Sequence, residues 1–110
     1  MATVQIRPAV EHASDSDFRD KVLASELPVL VDFYADWCAP CRMLAPVLEE
    51  FAGETPGTKV VKVNVDESPE VAADYGIQAI PTLMAFKGGR VVGHHTGLAN
   101  KAHLKSLLAR

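Results

Sequence analysis

The chain reads as an α/β protein: a mixed five-stranded sheet flanked by four helices. Three observations predict this. Segments of strand character take turns with segments whose apolar residues recur at helical spacing. The last two strand segments flank Gly88-Gly89, a two-residue hairpin signal, so one pair is antiparallel while the alternation elsewhere calls for parallel neighbours. At 110 residues and 48% apolar, the chain can sheathe one core with helices, and a single domain over residues 1–110 is expected.

Taken in order, Met1 to Pro8 reads as a loose leader with at most a short extended piece at Val4 to Arg7. Val10 to His12 is expected as an edge strand. Ser14, three residues before Asp17 and ahead of Phe18, Val22 and Leu23, forms a capping-box-like start for a first helix ending near Ser25. Pro28 closes the turn, and Val29 to Tyr34 is a near-continuous apolar run of the kind buried on both sheet faces. Asp32 inside that run is the first anomaly. The next segment carries Leu44, Val47, Leu48 and Phe51 on one helical face, with Pro46 expected to kink it and Gly53 and Pro56-Gly57 to end it. Lys59 to Val65 sets Val61, Val63 and Val65 against Lys62 and Asn64, a strand pattern. Ser68-Pro69-Glu70 supplies an N-cap, a first-position proline and a first-turn acid for a short helix to about Tyr75, before Gly76. Thr82 to Lys87 and Arg90 to Thr96 make the hairpin, and Asn100 caps a last helix with Leu104, Leu107 and Leu108 as its buried stripe.

A formal net charge of −3 with no long run of either sign argues against a nucleic-acid partner and against an anionic membrane surface. No apolar block near the N-terminus resembles a signal segment, and no run approaches the roughly 20 residues needed to span a bilayer. A cytoplasmic location is therefore expected, where a catalytic disulfide is more usual than a structural one.

Both cysteines, Cys38 and Cys41, lie where the apolar strand runs into the helix, with Cys38 at or just before the helix start. Free amide N–H groups and the positive end of the helix dipole stabilise an anion there, so the Cys38 thiol should ionise more readily than a free cysteine. The thiolate is the form that attacks a disulfide, and a partner three residues on can resolve the mixed disulfide. The bland alternatives are an inert pair or half of a zinc site. Zinc takes four ligands, and beyond this pair the chain offers only the scattered His12, His94, His95 and His103, so no metal is assigned.

Trp37-Cys38-Ala39-Pro40-Cys41 following Val31-Asp32-Phe33-Tyr34, with Ile80-Pro81-Thr82 downstream, resembles the thioredoxin family over roughly residues 9 to 109. The resemblance implies the thioredoxin fold with strand order 1-3-2-4-5, and a general protein-disulfide reductase in which Cys38 attacks and Cys41 resolves. It implies that Asp32 is the family's buried acid, its pKa raised by burial, accepting the proton of Cys41 as a general base through a water. It implies that Lys62 points at this acid. It makes Pro81 the cis-proline facing the disulfide, turning the Ile80 backbone outward to pair with an extended substrate. Trp37, Ala79, Ile80, Gly97 and Leu98 would complete a flat, mostly apolar docking surface. Pro40 and Ala39 would tune the couple, and Ala39 departs from the family's usual glycine. Gln78 and Ala79 vary the loop before the proline. No bound cofactor is implied beyond the redox-active disulfide itself. The partners implied are protein disulfide substrates and a flavin-containing, NADPH-dependent thioredoxin reductase, with the chain itself a monomer. The competing readings are an oxidase or isomerase, and a binding module that uses the apolar surface whatever its redox state.

Overall fold

The computed structural model describes residues 9–110, and the leader expected over residues 1–8 lies outside them. Five strands, β1 (Val10–Ala13), β2 (Val29–Tyr34), β3 (Lys59–Asn64), β4 (Thr82–Lys87) and β5 (Arg90–Thr96), form one sheet in the order β1-β3-β2-β4-β5. β3 runs parallel to both β1 and β2, while β4 is antiparallel to β2 and to β5. β2 is thus the central strand, and its near-continuous apolar run is explained: Val29 to Phe33 are buried, with both faces covered.

The two faces collect different residues because side chains alternate along a strand. Leu30, Val60, Leu83 and Ala85 pack on one face against Leu44, Leu48 and Phe51 of α1 (Ala39–Glu54) and Leu104 and Leu107 of α3 (Lys101–Leu108). Val29, Val31, Phe33, Val61, Val63 and Phe86 pack on the other against Phe18, Val22 and Val71. Val71 belongs to α2 (Pro69–Asp74). Where β5 crosses α3 the approach is so close that a Cβ on Gly93 would meet the Leu107 carbonyl oxygen at 2.8 Å. Asn100 caps α3 as its sequence suggests, its Oδ1 accepting from the His103 N–H at 2.8 Å. α1 continues through Pro46 to Glu54. The hairpin turn has Gly88 at φ 58° and Gly89 at φ 78°, the conformation a two-residue turn needs and side chains resist.

Three local expectations are corrected. The first helix is a five-residue π-helical segment, Arg19–Leu23, shorter than the span from Ser14 to Ser25; Asp17 Oδ1 does accept from the Ser14 N–H at 2.7 Å. β3 ends at Asn64 because the Asn64 side chain turns back to accept from the Asp66 N–H at 2.9 Å. Ser68 stands at the N-cap of α2 but makes no capping bond; its hydroxyl is buried without a partner among the described residues. Asp15 caps α2 instead, its carboxylate accepting from the Glu70 N–H at 3.2 Å and the Val71 N–H at 2.9 Å. Asp15→Ala therefore leaves two first-turn amides without their acceptor and should cost about 0.5–2 kcal/mol in urea unfolding, while Ser68→Ala should cost less. The reverse ranking would return the cap to Ser68.

Candidate functional site

β2 delivers the chain to the carboxyl edge of the sheet, and the turn after it places Cys38 at the N-cap of α1 with φ −87° and ψ 110°. Its Sγ accepts from the Cys41 N–H at 3.3 Å, using one of the amides a helix start leaves free. The two sulfurs are bonded to each other, with Cα atoms 5.2 Å apart. Ala39 and Pro40 open the helix and are exposed, and proline in the second helical position sacrifices no hydrogen bond. Both cysteines are enclosed: Cys38 keeps 5% of its surface against 2% for Cys41, because Ala35, Tyr34, Val65 and Ile80 close around the pair.

The two sides of the disulfide face different surroundings. On one, Cys38 Sγ lies 3.8 Å from the Ile80 carbonyl oxygen. On the other, a cleft of about 330 Å³ lined by Tyr34, Asp36, Cys41, Arg42, Ala45 and Lys62 reaches in from solvent.

Asp32 is fully buried in β2 on the sheet face that α1 covers, with neither carboxylate oxygen bonded to any described residue. Burial pushes its carboxyl from the ordinary 3.8 up to about 7, and the charge of Lys62 offsets only part of that. Lys62 is the register partner of Asp32 across β2 and β3. Its ammonium does not close an ion pair with the acid; it sits over the Tyr34 ring, 4.2 Å from the centroid, a cation–π contact that keeps the charge near Asp32 yet apart from it.

The residues expected to dock a substrate come together from three segments, Trp37 in the β2–α1 turn, Ala79 to Pro81 before β4, and Gly97 and Leu98 after β5. The Ile80–Pro81 peptide is cis, and Pro81 is buried while Ala79 is exposed and Ile80 partly so. The Gly97 N–H donates to the Pro81 carbonyl at 2.8 Å, and Gly97 adopts φ 98°, which favours glycine. Leu98 beyond it is 50% exposed and Trp37 70%. Trp37, Gln78, Ala79 and Ile80 line a shallow cleft of about 180 Å³. The residues that the family resemblance singles out therefore lie at one end of the sheet or directly beneath it.

Four supporting residues escaped the sequence reading. Asp66 accepts from the Trp37 Nε1–H at 2.9 Å and holds the indole in place. The Thr82 hydroxyl donates to the Ala79 carbonyl at 2.6 Å and accepts from Thr96 Oγ1 at 3.3 Å, clasping the two docking loops. Tyr34 carries Lys62. Thr82 and Tyr34 stand within the motif stretches, where only their supporting roles went unread; for Asp66 and Thr96 the sequence holds no signal.

Among the described residues no group of three or more His, Cys, Asp or Glu is placed to hold a metal ion. A vicinal cysteine pair at a helix N-terminus, ending the central strand of this sheet, defines a thiol–disulfide oxidoreductase. The comparisons agree. The thioredoxin family model matches residues 9–110, and the chain belongs to that family. It is 52% identical over 103 residues to Thioredoxin 1 of Nostoc sp., covering 93% of this chain and 96% of that one. It is equally similar, 52% over the same share, to the thioredoxin of Synechocystis sp., and 50% identical over 101 residues to the chloroplastic M-type thioredoxin of Chlamydomonas reinhardtii, covering 91% of this chain and 72% of that protein.

Proposed function

We propose that this single-domain chain is a general protein-disulfide reductase of the cytoplasm, carrying electrons as a monomer between an NADPH-dependent thioredoxin reductase and protein disulfides. The observation that carries the reading is the placement of Cys38: its sulfur sits at a helix N-cap, accepts a backbone N–H, and lies beside the Ile80 backbone at the docking loop.

In the reduced protein those amides favour the Cys38 thiolate. A target segment lies extended along Ile80, flanked by Trp37, Ala79, Pro81, Gly97 and Leu98. The thiolate attacks one sulfur of the target disulfide; a mixed disulfide forms and the other target sulfur leaves as thiolate. Cys41 then loses its proton to Asp32, whose pKa of about 7 suits a base at neutral pH, and attacks Cys38 Sγ. That closes the Cys38–Cys41 bond and releases the second target thiolate, so two electrons have passed to the target. The nearby charge of Lys62 keeps Asp32 from rising further, and Ala39 and Pro40 set the stiffness of the turn that holds the two sulfurs.

The reduction potential tests the direction of flow. Thioredoxins as a class stand near −270 mV, a class value and not one obtained from this geometry, and this chain is expected close to it by equilibration with glutathione. A potential above about −200 mV would make the protein an oxidase or isomerase.

A further inference from the structure

We propose that His95 and His103 form a binding site for a divalent transition metal of square-planar or octahedral preference, Cu²⁺ or Ni²⁺, outside the redox centre. The pair joins β5 to α3: the two rings lie with centroids 4.4 Å apart and planes at 62°.

The separation bears on which ion would fit. A first-row metal stands about 2.0–2.1 Å from an imidazole nitrogen and so about 3.2 Å from the ring centroid. With one nitrogen of each ring turned to a common ion, centroids 4.4 Å apart would subtend about 90° there, the cis angle of square-planar and octahedral complexes. A tetrahedral angle would spread them to about 5.2 Å, which disfavours zinc.

The hydrogen bonding supplies the ligand atom. His95 Nε2 lies 2.8 Å from the Leu98 carbonyl oxygen. A carbonyl only accepts, so Nε2 carries the proton and Nδ1 holds the free lone pair in the neutral ring. A metal-ligating histidine whose second nitrogen donates to a backbone carbonyl is the usual outer-shell arrangement, fixing both tautomer and ring orientation. The His103 backbone is anchored at the first turn of α3, its N–H donating to Asn100 Oδ1 at 2.8 Å. Its ring is exposed and His95's half-buried, leaving water to complete the coordination. His94 is the neighbour that does not take part: successive strand residues face opposite sides of the sheet, and it lines a separate cleft with Tyr75, Gln78 and Met84.

The test uses the oxidised full chain, in which the disulfide removes both thiolates as competing ligands. Titration with CuCl₂ followed by electron paramagnetic resonance should show one equivalent bound through two nitrogens, and NiCl₂ should bind more tightly than ZnCl₂. His95→Ala and His103→Ala should each weaken Cu²⁺ binding at least tenfold, while His94→Ala should leave it unchanged, and circular dichroism of each variant should match the parent. Binding that survives both substitutions, or that His94→Ala removes, or that is stronger for Zn²⁺ than for Ni²⁺, would overturn the assignment.

Discussion

Cys41→Ser is expected to turn a turnover catalyst into a trap. Cys38 still attacks, the mixed disulfide forms, and nothing within reach can break it. Insulin reduction should fall by at least about 10³-fold, because residues that act as one unit lose nearly everything when either is removed. A target disulfide protein should meanwhile accumulate as a stoichiometric adduct that a reducing gel dissolves. Cys38→Ser should abolish turnover to the same degree and form no adduct, since the remaining thiol of Cys41 keeps only 2% of its surface, at the cleft that Lys62 also lines. Adducts formed by the Cys38→Ser protein would reverse the two roles. A function of the protein that survives both substitutions together, with disulfide reduction lost, would leave only a binding module.

Replacing Asp32 with alanine should make the protein more stable and slower. Between the ordinary carboxyl value of 3.8 and the folded value of about 7, the folded chain holds a proton that the unfolded chain has lost. The folded state binds more protons across that window, so wild-type stability falls as pH rises through it and levels off above about 7. A shift of that size corresponds to about 4 kcal/mol, and the small cavity left by alanine returns about 1 kcal/mol of it. Asp32→Ala should therefore exceed the wild type by about 2–4 kcal/mol in urea melts at pH 8, with little difference at pH 4. At neutral pH it should also reduce insulin more slowly, because Cys41 has lost its proton acceptor. If the variant is less stable at pH 8 and equally fast, Asp32 serves as a structural hydrogen-bonding group and deprotonation of Cys41 runs by another route.

How much of this was legible in the chain depended on where each partner lies. Asp32 announced itself, because a charge in a run that is otherwise apolar on both faces has no solvent to turn to, and the structure leaves it fully buried. The Asn100 cap was legible for a different reason: donor and acceptor are three residues apart. The cap of α2 was not, since the sequence offers Ser68 in the right place and the carboxylate that does the capping arrives from Asp15, 55 residues from Glu70. Lys62 shows the same limit. Its register opposite Asp32 follows from strand pairing, but the Tyr34 ring that claims its ammonium is set by side-chain packing. The enclosure of Cys38 depends on Ile80 and Val65, two other segments, and a strand–helix junction read alone suggests more exposure than they allow. Strand order came from family resemblance, because alternating strands and helices are compatible with several orders.

The clasp between the two docking loops has a consequence for how such a protein can change. Thr82 pairs with Thr96 in the β4–β5 ladder, and the Pro81–Gly97 bond continues that ladder outward. Ala79 to Pro81 and Gly97 to Leu98 are therefore two ends of one antiparallel ribbon, whereas both sulfurs belong to the β2–α1 junction. Apart from Trp37, which shares the β2–α1 junction with the sulfurs, the residues proposed to dock a target are carried on a different piece of chain from the cysteines. On the proposed docking role, a substitution at Gln78, Ala79 or Leu98 is expected to change which proteins are met while leaving the two sulfurs and their surroundings in place, so that clientele could diversify while the electron chemistry stands still.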